Sequence, residues 1–272
     1  MTNSSKRNGA GVKGKRLRVT LIYPPAMNRT GEPFPLPSPA IAALARYLHE
    51  AGHESVQKDL DKLWFSGLKD EFSGVQLALL KHKEAAGRYA RGVSARAEEK
   101  AFSDAADRIV KRAGIGRSDL FCITFADMGA DQLMLNVSAV LAARLKTLFG
   151  APVAIGYKSI PQAAYMEVMR LYPCFDYASY ATWGERSLAG IVSAVSGGSE
   201  PLLDTIERTA GGLRVSRAGI EPPLAPSLLY DRKILSAYTV TDRRIMERYN
   251  SSFPLARDLL KKPGWSEATQ AY

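Results

Sequence analysis

Three histidines, two cysteines and a glycine triplet are the first places in this sequence to look for chemistry. Gly9-Ala-Gly11-Val-Lys-Gly14 has the spacing G-x-G-x-x-G that cradles a dinucleotide phosphate. Such glycines work only where they join a strand to a helix, and here they precede the first strand-like run, so the match is coincidental. No G-K-[ST] phosphate loop follows anywhere. His49, His53 and His82 lie on or beside helix-like stretches and form no H-E-x-x-H or other ligand spacing, so structural or surface roles are expected of them. No Ser-His-Asp set is visible. Cys122 and Cys174 sit in apolar strand-like runs, as buried thiols do in a reducing cytoplasm. Two cysteines alone cannot hold an iron–sulfur cluster or a structural zinc ion, so no cluster is expected on this chain.

Any chemistry must then come from loops, and the elements that hold them can be read from periodicity. Residues 17–23 (Leu-Arg-Val-Thr-Leu-Ile-Tyr) form a β-branched run that stops at Pro24-Pro25, a buried strand meeting a rigid turn. The Tyr-Pro-Pro at that end leaves no acidic cluster of the phospho-receiver kind. Gly31, Pro33, Pro35 and Pro37 forbid helix through the next loop. Ser38-Pro39 then reads as N-cap and first helical residue, followed by Ile41, Leu44, Ala45 and Leu48 at helical spacing up to Gly52. A second strand is expected over 54–58, leading into Asp59-Leu-Asp61. Residues 62–115 are charged and helix-prone with no strong strand. Beyond them come strands at 119–125, 152–156 and 175–180, alternating with helices at 133–149 (amphipathic), 162–171 and 185–195.

Strands alternating with helices require crossover connections, hence a parallel sheet. The expected fold is α/β: a doubly wound, five-stranded, flavodoxin-like parallel sheet over 17–198 with 62–115 as an enlarged crossover. Gly197-Gly198 ends the pattern. Residues 203–208 and 213–216 around Gly211-Gly212 suggest a small hairpin. After Pro222, Pro223 and Pro226 only weakly helical pieces remain, near 242–249 and 255–262, which suits a partner-docking tail over 199–272.

Composition sets further bounds. The 272 residues are 46% hydrophobic and 24% charged, ordinary for a globular domain, and no apolar run is long enough to span a membrane. The net charge of +10 is concentrated: residues 1–18 carry six cations and no acid, and 81–117 carry ten cations against five acids. The first reads, over 1–16, as a disordered basic tail and the second as a solvated helix face. No sheet interleaves aromatics with these cations, so nucleic acid is not an expected partner.

In such sheets ligands bind beyond the carboxyl ends of the strands. Three loops lie there: Tyr23-Pro24-Pro25-Ala26-Met27, Thr124-Phe125-Ala126-Asp127 and Gly156-Tyr157-Lys158-Ser159. The strand ending in Pro-Pro, the proline-rich loop and Ser38-Pro-Ala-Ile-Ala-Ala-Leu-Ala-Arg-Tyr-Leu48-His-Glu-Ala-Gly-His53 resemble the opening of the cobalamin-binding domain of many radical S-adenosylmethionine enzymes. A strand ending near Thr124, one ending at Gly156 and Thr182-Trp183-Gly184-Glu185 opening the last helix follow in the same order. The resemblance covers roughly residues 17–235. It implies cobalamin as cofactor, bound by Pro24, Pro25, Ala26, Thr124, Phe125, Ala126, Gly156, Tyr157, Lys158 and Gly184, with no catalytic or metal-ligating residue in this chain.

The sequence also departs from that family. The cluster motif C-x-x-x-C-x-x-C is absent, and the chain ends about where the radical domain would begin. The first loop has no histidine, so the D-x-H-x-x-G cobalt ligation of cobalamin mutases is missing. Tyr157 stands where a second glycine is usual, and Trp183 replaces another. Two readings stay open. The chain is the cobalamin-carrying subunit of a split radical enzyme, cytoplasmic and heteromeric, active in methyl transfer or a related step on a natural product or peptide. Alternatively Tyr157 and Trp183 plug the cofactor slot, and the protein is a non-catalytic scaffold or activator. Asp127 and Asp131 could touch a polar ligand edge, Asp131 equally well capping the next helix, and Glu185 suits the positive end of the last helix. Trp64-Phe65 is expected under the helical insertion, and Tyr177 and Tyr180 in the core and at the rim.

Overall fold

A computed structural model of the chain describes residues 15–25, 38–124, 132–156, 161–181 and 184–218. Its centre is β1 (Arg18–Tyr23), buried at every position after Arg18. An apolar strand without polar alternation has to be covered on both faces. Its parallel neighbours are β2 (Glu54–Asp59) and β3 (Leu120–Thr124), and β4 (Val153–Gly156) and β5 (Tyr177–Ser179) continue in parallel. The order β2-β1-β3-β4-β5 reverses direction at β1, the hallmark of a flavodoxin-like sheet.

The sheet does not stop at five strands. β6 (Thr205–Thr209) pairs antiparallel with β5, and β7 (Gly212–Val215) pairs antiparallel with β6, giving a mixed sheet of seven. The hairpin lies where the sequence placed it, but it belongs to the main core. Ile206 is fully buried, and Tyr180 N–H donates to the Asp204 carbonyl at 2.9 Å.

Helices cover both faces. α1 (Pro39–Glu50) connects β1 to β2 in one direction, while the crossovers from β2 to β3, β4 and β5 run in the other. Right-handed connections therefore put α1 on the face opposite α6 (Gln132–Phe149) and α7 (Gln162–Leu171). α8 (Gly184–Ser196) packs beside α1. Ser38 does start α1, but its side chain makes no cap bond; its N–H instead reaches Asp59 Oδ2 at 3.4 Å.

The region 62–115 is helical throughout, as expected: α2 (Leu60–Phe65), a 3-10 turn at Leu68–Glu71, α3 (Gly74–Lys81), α4 (Lys83–Ala90) and α5 (Arg96–Ala113). α5 buries Phe102, Ala105, Ala106 and Ile109, one stripe at helical spacing. It ends at Gly114, whose φ of 57° is left-handed, with Ile115 N–H returning to the Val110 carbonyl. Trp64 is buried with its ring 5.5 Å from that of Phe72, so the pair Trp64-Phe65 does pack under the insertion. Cations of the basic stretch are matched locally, Arg88 by Glu98, Lys100 by Asp104 and Arg112 by Glu71.

α6 departs from the reading as an amphipathic helix. Residues 136–142 are all buried, two consecutive turns without a wet side. The sheet covers one side, and α3, α4 and α5 pack on the other. A helix apolar all round must be enclosed, and the insertion does the enclosing.

The amino edge of the sheet is closed by a repeated device. Asp119, just before β3, accepts the Arg18 N–H that opens β1 at 2.8 Å and the Lys15 ammonium at 3.1 Å. Asp176, just before β5, accepts the Val153 N–H that opens β4 at 2.8 Å and the Lys146 ammonium at 2.6 Å. His53 Nδ1, before β2, accepts from Leu17 N–H at 3.1 Å. The Arg18 N–H, more than any other group, holds the Asp119 carboxyl below its ordinary range.

Candidate functional site

The candidate site is the carboxyl edge, where β1, β3, β4 and β5 end side by side. Pro24 and Pro25 are both buried, so the turn leaving β1 is anchored in the core. Their fixed φ and missing N–H groups stiffen the exit and remove donors that would need partners.

Thr124 ends β3 beside that turn. It is 7% exposed, and its Oγ1 has no hydrogen-bond partner among the described residues. An unsatisfied buried hydroxyl is costly, about 1–3 kcal/mol. Here it lies at the end of β3, next to β1 where the strand order reverses, the edge such sheets use for ligands.

Gly156 ends β4. A Cβ there would lie 3.1 Å from the Ser179 Cβ on β5, a tight contact that glycine avoids where the two strands pair. Gly184 opens α8 against α1, where an added Cβ would sit 3.4 Å from Leu44 Cδ2. Glu185 lies in the first turn of α8, as anticipated.

Five of the ten predicted cofactor contacts are thus placed, at three strand ends and one helix start. Ala26, Phe125, Ala126, Tyr157 and Lys158 lie outside the described residues, as do Gly9 to Gly14, Asp127, Asp131, Trp183 and the stretches 242–249 and 255–262.

The sequence reading passed over three contributors to this edge. Asp59 ends β2 and accepts from the Asp61 N–H at 3.1 Å, capping α2. Asp61 is fully buried at the same end of the sheet. Ser179 sets the close approach to Gly156. The signal for the first two was present, since paired aspartates directly after a strand occupy the edge where ligands bind.

None of the histidines reaches this edge. His49 is in the last turn of α1, His53 serves the amino edge, and His82 Nδ1 accepts from Ala85 N–H at 3.3 Å to cap α4. Their structural roles agree with the sequence reading. Cys122 and Cys174 are buried in the core, where desolvation pushes both thiols up to about 12. Among the described residues no group of histidines, cysteines and acids is arranged to hold a metal ion. No described helix is long and apolar enough to cross a membrane.

No protein-family model matches the chain, and neither does a curated protein. Solved structures do. The radical S-adenosylmethionine methyltransferase TsrM from Kitasatospora setae, with cobalamin and a [4Fe-4S] cluster bound, superposes with a TM-score of 0.44 at 14% identity, over 75% of this chain and 31% of its own. The same enzyme with its tryptophan substrate and an S-adenosylmethionine analogue (aza-SAM) bound gives 0.43 at 15% identity, over 77% and 30%. The cobalamin-dependent S-adenosylmethionine radical enzyme OxsB, with aqua-cobalamin and S-adenosylmethionine bound, gives 0.48 at 11% identity, over 76% and 23%. The chain spans less than a third of each of these proteins. At these values the likeness concerns the path of the chain, and the activities named belong to those proteins.

Proposed function

We propose that this protein is the cobalamin-carrying subunit of a split radical S-adenosylmethionine enzyme. The observation that carries the reading is Thr124 Oγ1, a buried hydroxyl at the carboxyl end of β3 without a partner among the described residues. It stands beside the Pro24-Pro25 turn, in the crevice where a doubly wound sheet accepts a ligand. The ordered motifs from Pro24 to Glu185 support the same assignment. The residues fit the group in chemical character, since a flat, largely apolar nucleotide arm needs a rigid turn, small neighbours and few hydrogen-bond donors.

When bound, cobalamin would supply methyl transfer or a related radical step. The chain's own part is placement. Pro24 and Pro25 fix one wall, and the Thr124 hydroxyl offers one hydrogen bond to a polar ligand atom. Because none of the three histidines stands at this edge, the chain offers no imidazole to the cobalt. The cluster and the reductive cleavage fall to a second polypeptide, with the segment after the β6–β7 hairpin as the docking region. The substrate class is a natural product or peptide.

The test is corrinoid retention. Purified protein is mixed anaerobically with hydroxocobalamin, desalted and examined by visible absorption, with Tyr157→Gly alongside. A near-stoichiometric corrinoid spectrum for the natural chain is the expected result. A colourless natural chain beside a coloured Tyr157→Gly would replace the proposal with a scaffold whose slot is plugged. If both stay colourless even with the radical partner present, the cobalamin reading is wrong.

A further inference from the structure

Asn136 is fully buried in the second turn of α6, and its amide joins three separate segments. Nδ2 donates to the Leu80 carbonyl at 2.9 Å. Leu80 lies in the last turn of α3, where a helix leaves its carbonyls without intrahelical partners. Oδ1 accepts from the Tyr172 hydroxyl at 2.9 Å and from Gln132 Nε2 at 2.7 Å. Tyr172 directly follows α7, and Gln132 is the first residue of α6, next to the loop that leaves Thr124. Leu80 O can only accept, so the orientation of the amide is fixed by its bonds. Ala, Leu or Val would have filled this position in an otherwise apolar stretch.

We propose that Asn136 is a positioning residue: it locks the opening turn of α6, and with it the β3–α6 side of the candidate site, to the helical insertion and to the turn after α7. The physical reason is that buried polar groups tolerate one arrangement and penalise others. A sliding α6 would strand the Leu80 carbonyl and the Tyr172 hydroxyl together. The insertion therefore fixes the opening turn of α6 as well as covering the helix. Burial leaves Tyr172 the hydrogen donor in this network, its hydroxyl pushed up to about 12. The geometric claim is independent of what binds at the edge; its bearing on ligand rests on the cobalamin reading above.

Two variants of the full chain test it by hydrogen exchange. Tyr172→Phe removes one bond and should fold, whereas Asn136→Leu removes all three. In both, amides at 80–85 and at 132–135 should exchange faster together, by roughly five- to tenfold for the milder variant, as for the loss of one buried hydrogen bond. Amides of β1 and of residues 187–192 in α8 should keep their rates. A uniform rise across the protein, or a rise confined to residues near 172, would overturn the proposal. A second arm measures the dissociation constant of hydroxocobalamin for Tyr172→Phe at a temperature where it is fully folded; an unchanged constant would overturn the link to the ligand edge. If the natural chain retains no corrinoid, the cofactor reading fails while the exchange data still decide the role of Asn136.

Discussion

At the amino edge of the sheet, acidic side chains close the backbone. Asp119 and Asp176 each stand one residue before a strand, and each takes the first N–H of a neighbouring strand together with a lysine. At the carboxyl edge the arrangement is reversed. Prolines remove donors at Pro24 and Pro25, and the buried Thr124 hydroxyl is left without a partner among the described residues. One edge satisfies its polar groups internally, and the other holds one in reserve. Stability and recognition are thereby separated along a single set of strands, about 10–20 Å apart by strand rise alone.

The contrast breaks most visibly at Asp176. Replacing it by alanine strands the Val153 N–H and Lys146 together, so urea denaturation should show a loss of about 2–3 kcal/mol, in the range for hydrogen bonds to a charged group. Corrinoid retention by the folded fraction should be unaffected. A loss under about 0.5 kcal/mol would mean the amino edge is not a stabilising device.

Thr124→Val probes the other edge and should raise stability while it weakens retention. Removing an unpartnered buried hydroxyl is expected to raise stability by up to about 1 kcal/mol, while corrinoid retention falls. If Thr124→Val is instead destabilised by more than that, the hydroxyl has a stabilising partner and the comparison between edges fails.

The smallest effect belongs to His53. Burial, aided by the Arg16 charge, lowers its pKa below the ordinary 6.5, and its Nδ1 must stay unprotonated to accept the Leu17 N–H. Below 6.5 the unfolded chain takes up the proton more readily than the folded one, so stability is full above that pH and declines as pH falls toward the folded-state pKa. Urea midpoints measured on either side of 6.5 should show this slope in the natural chain and less of it in His53→Gln. An identical slope in both would assign the effect elsewhere.

Much of this frame was legible in the sequence because it is written in short-range patterns. Ser38-Pro39 marked the start of α1, the apolar runs marked β1 and β3, and 162–171 coincides with α7. What local pattern could not carry was pairing at a distance. Nothing within residues 203–216 says that the hairpin will pair with β5; that depends on Tyr177–Ser179 being an otherwise open edge. Likewise an amphipathic helix over 133–149 implies one wet side, whereas that side of α6 is taken by helices far earlier in the chain. At the candidate site, the position of Thr124 was readable and its unpartnered hydroxyl was not, because hydrogen-bond satisfaction is a property of neighbours. The close approach of Ser179 to Gly156 was not readable either, for the same reason.

The doubly covered α6 bears on what counts as the minimal protein. Sheet and crossovers alone would match the common size of this architecture, and the helices between Leu60 and Ala113 look like an ornament that could be trimmed. Trimming them would leave a helix with two oily sides and a single partner, with the Asn136 amide opened to solvent or to another chain. Such a truncated product would be sticky before it was unstable, associating through α6 even with every strand in place. The insertion is half of a second core, and the smallest soluble version of this fold has to keep it.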